Sequence, residues 1–241
     1  MKISKSVALV TGANRGIGRS LVAALLDAGA SRVYATARDP KTLEAVTALD
    51  PTRVTPLKLD VTSADDIAAA AERAADVNLL VNNAGVLASF NLLEATREQV
   101  ERDFSVNFYG ALAVTRAFIP VLERAGGAAI ANILTVVSLA SRPVIGGYSA
   151  SKAAAFSMTQ ALRPELRAKK IAVHAVIPGA VDTDMIRAFP IPKTSPDTVA
   201  RAIVTGIERG DEDILTDGFA EDSFDRWSKN PKEFERYFGS L

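Results

Sequence analysis

The chain has no cysteine and a single histidine among its 241 residues. Without thiols there is no disulfide, no cysteine nucleophile and no thiolate metal site, and one imidazole cannot build a histidine cluster for a metal. Net charge is missing too. Its 28 Lys and Arg balance 28 Asp and Glu, so no overall field draws the chain to nucleic acid or to an anionic membrane surface. The N-terminal MKISKSVALVTGANRG carries no signal-peptide cleavage pattern, and no apolar run reads as long enough to span a bilayer. The expectation is a cytoplasmic protein with no nucleic-acid and no membrane partner. Aromatics are scarce at 6%, yet 48% of residues are hydrophobic, which suits a globular core built mainly from aliphatic side chains.

What is present alternates. Short aliphatic runs (VALVTG, RVYATA, VTPLKLDV, VNLLVNNAG, AAIANILTVVS and IAVHAVIPG) are separated by longer amphipathic stretches such as RSLVAALLDAGA and SADDIAAAAERAA. Nearly continuous hydrophobicity in the short runs predicts strands covered on both faces. The fold class is therefore α/β, a Rossmann-like doubly wound parallel sheet with helices on both faces. Gly29 reads as a helix C-cap, and Thr62 or Ser63 as an N-cap with Asp65 and Asp66 in the first turn. One long helix is predicted over about 95–124. Another runs from near Tyr148 to about Lys169, with Pro164 inside it as an expected kink. His174, within IAVHAVIP, reads as a structural residue of a buried strand. No linker or repeat divides the chain, so 1–241 reads as a single domain. Its tail, about 220–241, has spaced aromatics that predict one or two amphipathic helices.

Two stretches carry chemistry. TGANRGIG (11–18) follows the first strand and opens the first helix. There Gly12, Asn14, Arg15, Gly16, Ile17 and Gly18 can bring backbone amides and a helix N-terminus against a pyrophosphate. GGYSASKAAAF (146–156) sets Tyr148 and Lys152 one helical turn apart, which taken alone is ordinary i, i+4 helix chemistry.

The Gly-x-x-x-Gly-x-Gly spacing of the first stretch resembles that of the short-chain dehydrogenase/reductase family. Further positions match in order: Asp60-Val61, Asn82-Asn83-Ala84-Gly85, Asn107, Ser138, the Tyr148 and Lys152 pair, and Pro178-Gly179 before Thr183. The resemblance covers about residues 5–216. It implies a nicotinamide cofactor held by the glycine turn and by Asp60, Val61, Asn83, Ala84, Gly85, Tyr148, Lys152, Pro178, Gly179, Val181 and Thr183. It also implies Asn107, Ser138, Tyr148 and Lys152 as the catalytic set, with Asn107 holding a water that passes protons to Lys152.

About twenty residues past Gly18, where an acidic side chain would bind a free ribose 2′-hydroxyl, the chain has Arg38. Arg38 and Arg15 together can meet a 2′-phosphate, so NADP(H) is the predicted cofactor. The alternative for Arg38 is a solvent-exposed pair with Asp39. In the reaction so implied, Tyr148 exchanges the proton that accompanies hydride transfer, and the Lys152 ammonium is expected to lower the phenol's pKa. The Ser138 hydroxyl polarises the substrate carbonyl. The gap from Ser138 to Tyr148 is about three residues shorter than is usual in this family, and Ser141 is the rival position.

Leu87, Leu139, Val144, Ile145, Ala180, Met185, Ile186 and Phe189 are the expected apolar pocket, suited to a hydrophobic ketone or aldehyde. The short segment between Thr183 and a helix beginning near Pro196 is expected to leave that pocket open. The small residues Ser149, Ala153, Ala154 and Ser157, with the family's habit of pairing its two long helices, predict a homodimer at least. The tail replaces the family's usual ending, which leaves a tetramer open; it could cap the pocket, cover the sheet edge or bind a partner. Two functions stand: an NADP(H)-dependent carbonyl reductase or alcohol dehydrogenase, and a non-catalytic NADP(H)-binding regulatory protein of the same fold. A hydrolase using His174 lacks a nucleophile elbow.

Overall fold

The computed structural model describes residues 1–240. The six aliphatic runs form β1 (Val7–Val10), β2 (Arg32–Ala37), β3 (Val54–Lys58), β4 (Leu79–Asn82), β5 (Ala128–Ile133) and β6 (Ile171–Ile177), and a short seventh strand, β7 (Asp213–Leu215), joins them. All neighbours pair in parallel, in the order β3-β2-β1-β4-β5-β6-β7. Because side chains alternate along a strand, each strand feeds two cores. Ala8 and Val10 of β1 pack on one face, where α1 (Gly16–Asp27) and α7 (Pro196–Arg209) lie. Leu9 packs on the other, with α3 (Ala64–Arg73), α5 (Ala111–Arg124) and α6 (Gly146–Arg167). A single turn of helix, α2 (Glu44–Thr47), connects β2 to β3.

The helix ends follow the side chains available. Ser63 accepts the Asp66 N–H at the start of α3, which settles the choice between Thr62 and Ser63. At α7, Ser195 accepts the Thr198 N–H, Pro196 takes the first helical position, and Gly210 ends the helix at φ +82°. Pro164 lies inside α6, three residues before its last residue Arg167.

The predicted helix over 95–124 begins as α4 (Arg97–Phe104), opened by a capping box between Thr96 and Gln99, and continues into α5 through a π-helical stretch, Ser105–Gly110. By length and composition alone Arg97–Arg124 is apolar enough to cross a bilayer. In the fold its apolar stripe, Val114, Phe118, Val121 and Leu122, is committed to the sheet, as in the core helix of a globular protein.

The tail forms two helices, α8 (Gly218–Lys229) and α9 (Pro231–Gly239), capped by Asp217 and Asn230. Phe234 and Phe238 of α9 are almost fully buried and join Ala220 in a cluster with Leu134, Val136, Val137, Phe156 and Ile177. The amphipathic pattern is thus spent on the chain's own core. Phe234→Ala should cost about 3–5 kcal/mol in urea unfolding, in one cooperative transition. A separate early transition for the tail would make it a distinct unit.

Candidate active site

The sheet order reverses direction between β1 and β4, and a crevice opens there at the carboxyl ends of the strands. A cleft of about 1390 Å³ runs from this crevice toward the tail. The cradle at its floor has a backbone reason. Gly12 and Gly16 adopt φ +63° and +52°, a region L side chains avoid, and a Cβ on Gly18 would lie 2.3 Å from the Gly12 carbonyl oxygen. Asn83 Nδ2 donates to the carbonyls of Thr11 and Gly12 at 2.8 and 3.0 Å, while Thr11 Oγ1 accepts the N–H groups of Asn83 and Ala84. The Asn83-Ala84-Gly85 segment therefore clamps the turn. No side chain caps the N-terminus of α1 and no acidic residue lies in its first turn, so its amides remain available to an anion. These features fit a dinucleotide.

Eighteen cofactor positions were expected from the sequence, and all line this cleft. Arg38 follows β2 there and, among the described residues, has no ion-pair partner; Asp39 instead accepts the Lys41 N–H. Arg15 differs from expectation in being paired with Asp184 across the cleft, at 3.4 Å. Both members are exposed, so the pair contributes at most about 1 kcal/mol. Asp184 also pairs with Arg187.

Tyr148 and Lys152 both line the cleft from the first two turns of α6, with the ammonium 5.9 Å from the phenol ring centroid. Lys152 is buried and its Nζ donates to the Ile133 carbonyl at 2.8 Å. Burial pushes the Lys152 pKa down to about 8, against the opposing pull of the Asp103 carboxylate. Burial also raises the Tyr148 phenol well above its usual value, and Asp103 adds to that rise. The expected lowering of Tyr148 by Lys152 is therefore corrected: desolvation dominates. Asp103 went unrecognised in the sequence, where it is one more acidic residue of a polar helix. Fully buried, it accepts hydrogen bonds from the Ala88 and Ser89 N–H groups and the Ser89 hydroxyl, fixing the loop after β4.

Asn107 is buried in the π-helical stretch rather than on the cleft surface. Its amide donates to the Val86 carbonyl and the Ser151 hydroxyl and accepts the Val86 N–H. A Cβ on Gly85 would stand 3.3 Å from Asn107 Oδ1 and 3.6 Å from Lys152 Nζ, so both side chains approach the same glycine.

Ser138 departs from expectation. β5 ends at Ile133, and the run Val136–Ser138 that reads as strand in the sequence is a 3-10 turn. Ser138 is buried, its Oγ has no hydrogen-bond partner, and it does not line the cleft. Thr135 lines it instead, two residues past the strand. The short gap was the missed signal, since moving back three residues from Ser138 reaches a hydroxyl at Thr135. Ser141 is exposed and lies outside the cleft. His174 sits in β6 away from the cleft, with Nδ1 2.6 Å from the Asp211 carbonyl oxygen and its pKa lowered by burial.

Seven of the eight expected pocket residues line the cleft; Leu139 faces a separate groove beside α9. The short segment after Thr183 does not leave the mouth wholly open, because Phe189 reaches Phe90 of the loop after β4 with ring centroids 6.3 Å apart. Phe219 and Phe238 of the tail, absent from the expected set, also line the cleft.

With this geometry in hand, comparison with known proteins is direct. The family profile of short chain dehydrogenases matches residues 6–191. A D-erythrulose reductase from Gallus gallus is 39% identical over 181 residues, which is 75% of this chain and 73% of that protein. A solved short chain dehydrogenase from Burkholderia cenocepacia, in complex with NADP, superposes with a TM-score of 0.93 at 36% identity, over 99% of each chain. Another, from Burkholderia phymatum in complex with NAD, superposes with a TM-score of 0.88 at 25% identity, over 95% of each chain. Glycine cradle, parallel sheet and Tyr148-x-x-x-Lys152 pair agree with these matches, and the chain belongs to the short-chain dehydrogenase/reductase family of oxidoreductases.

Proposed function

We propose that the chain is an NADP(H)-dependent carbonyl reductase, which converts a hydrophobic ketone or aldehyde to its alcohol or runs the reverse oxidation. The observation that carries this reading is one cleft lined by the Tyr148 phenol, the Lys152 ammonium and the Thr135 hydroxyl at one end and by the glycine cradle at the other. A nicotinamide bound there supplies the hydride, or accepts it in reverse. Tyr148 holds its proton firmly, which suits an acid that gives it up only to the oxygen of a carbonyl gaining negative charge. Thr135 donates a hydrogen bond to that oxygen and stabilises the charge as it grows. Lys152, largely protonated at neutral pH, places positive charge beside the phenol and favours the phenolate left after transfer. Asn107 keeps the α4–α5 junction and Ser151 in register with Lys152 and, by family resemblance, holds the water that returns a proton from solvent.

Arg38 supports NADP(H) over NAD(H). It follows β2 where an acidic residue would select a free ribose, and it has no ion-pair partner among the described residues. The Burkholderia cenocepacia neighbour holds NADP and the Burkholderia phymatum neighbour NAD, so the preference rests on such local residues rather than on the fold. A homodimer through the two long helices fits the exposure of Ala153 and Ser157 on α6 and of Tyr109 on the π-helical stretch. A purely regulatory, non-catalytic role is supported by no feature of the cleft.

Arg38→Ala should lower the preference for NADPH over NADH by about 10- to 100-fold, read as the ratio of the two dissociation constants. An unchanged ratio would assign the cofactor choice elsewhere.

Thr135→Val should lower kcat by about 10²–10³-fold in steady-state NADPH oxidation, and Tyr148→Phe should abolish turnover, while Ser138→Ala leaves kcat unaltered. The opposite result for the two hydroxyl variants would restore Ser138.

The pH profile separates the two titrating groups. Lys152, at about 8, loses its proton and its charge as pH rises, so kcat/KM for reduction should be flat below about pH 8 and fall above it. Tyr148, raised above its ordinary value near 10, stays protonated throughout that range. A decline that begins only above pH 10 would assign the limb to the phenol.

A further inference from the structure

The family profile ends at Ile191, so Phe219 and Phe238 lie beyond the part of the chain it matches. Both nonetheless line the cleft. Their ring centroids are 6.3 Å apart with 28° between the planes, and Phe234 backs Phe238 at 4.9 Å and 27°. Phe234 and Phe238 are 1% exposed and Phe219 is 43% exposed, so two rings of this near-parallel series are sealed in the core and the last stands open. An aromatic ring with an uncovered face favours another ring in an offset stack, beyond what the buried area alone contributes.

The series is fixed relative to the reacting end of the cleft by Asp217. Its Oδ2 accepts the Gly179 N–H at 3.0 Å, and its Oδ1 accepts the Ala220 N–H at 2.9 Å in the first turn of α8. The approach is close enough that a Cβ on Gly179 would come within 2.8 Å of Asp217 Oδ1 and 3.0 Å of Phe219 Cδ1. Phe219 is therefore packed on the Pro178-Gly179 turn, which lines the same cleft as Tyr148. Val144, Met185, Phe189 and Ile191 add further apolar surface to the same cleft.

We propose that Phe219, backed by Phe238 and Phe234, is a specificity-determining wall that selects carbonyl substrates bearing a planar aromatic group. This rests on the carbonyl-reductase reading and names its substrate class. The atoms that react stay with Tyr148 and Thr135; the wall acts through binding.

The test separates binding from chemistry. The full chain loaded with oxidised NADP cannot reduce a ketone, so calorimetric titration with 2-acetylnaphthalene and with 2-octanone gives dissociation constants for a planar and a flexible apolar ketone. Phe219→Ala should weaken 2-acetylnaphthalene about tenfold and leave 2-octanone unchanged. Phe238→Leu, which keeps apolar volume in the core but removes the flat ring, should weaken the planar probe in the same direction. An unaltered affinity for NADP in each variant shows that the fold is intact. Equal losses for both probes, no loss for either, or no binding of 2-acetylnaphthalene by the unaltered chain would overturn the wall. If 2-acetylnaphthalene binds through Phe219 but no carbonyl is reduced with NADPH, the wall stands and the reductase reading fails. If a carbonyl panel turns over and depends on Tyr148 while the wall test fails, only the wall is withdrawn.

Discussion

The placement of α6 on β5 and β6 of the sheet is the constraint on which the cleft depends. Tyr148 and Lys152 lie in its first two turns, so a shift of this helix would move both. A chain of buried side-chain hydrogen bonds holds it. Asn82 of β4 donates to Thr115 of α5 and to Asn132 of β5, Asn132 donates to Thr159 of α6, and the Thr159 hydroxyl donates to the Ala155 carbonyl one turn back. Leaving one such buried group unsatisfied costs about 1–3 kcal/mol, so the chain specifies one register of helix on sheet where aliphatic packing alone would tolerate several. Lys152 adds a second tie through the Ile133 carbonyl. At the helix start, Gly147 admits the loop after β4 so closely that a Cβ there would lie 2.2 Å from Ser89 Oγ.

That same seating sets the acid–base chemistry. A helix pressed against two strands buries whatever its inner face carries, and burial disfavours the charged form of each group. The ammonium and the phenol are thus pushed in opposite directions along the pH scale, and each is held nearer its neutral form. The sequence suggests attraction between Lys152 and a phenolate, and it names the two partners. It carries no information on how much water each loses. It also hides Asp103, whose carboxylate lies nearby because the α4 helix turns inward at that position to bind the Ala88 and Ser89 amides.

What could be read in advance was whatever depends on local pattern. Six strands follow from aliphatic runs, the α3 cap from a hydroxyl ahead of an amphipathic stretch, and the glycine cradle from its position between β1 and α1. The errors fall where tertiary pairing decides. Thr135, Val136 and Val137 have the β-branched composition of a strand, yet β6 ends its ladder with β5 at the Ile133 and Val176 pair, so the chain turns into a 3-10 helix and carries Ser138 away from the cleft. The π-helical stretch around Asn107 has no local signature either. Arg15 is engaged by Asp184, a residue 169 positions away, and no window of sequence contains that contact.

The tail completes the cleft from outside the span that the family profile matches. The residues proposed to hold the cofactor and move the proton come from strand ends and from α6, all within the span the family profile matches. The far wall of the cleft comes from α8 and α9, which the profile does not reach. The two parts meet at the Pro178-Gly179 turn, where Asp217 binds one backbone amide and caps α8 with its other oxygen. The carboxylate adds a polar tie to the packing between the two parts, and glycine at 179 is required because a side chain would separate the surfaces at this turn. The tail also packs directly on α6, with Trp227 edge-on to Phe156 at 6.1 Å, so its inner face and the helix that carries Tyr148 share one core. The division follows from geometry: the reacting atoms need rigid strand ends, while the substrate's remainder needs only a surface of suitable shape and chemistry.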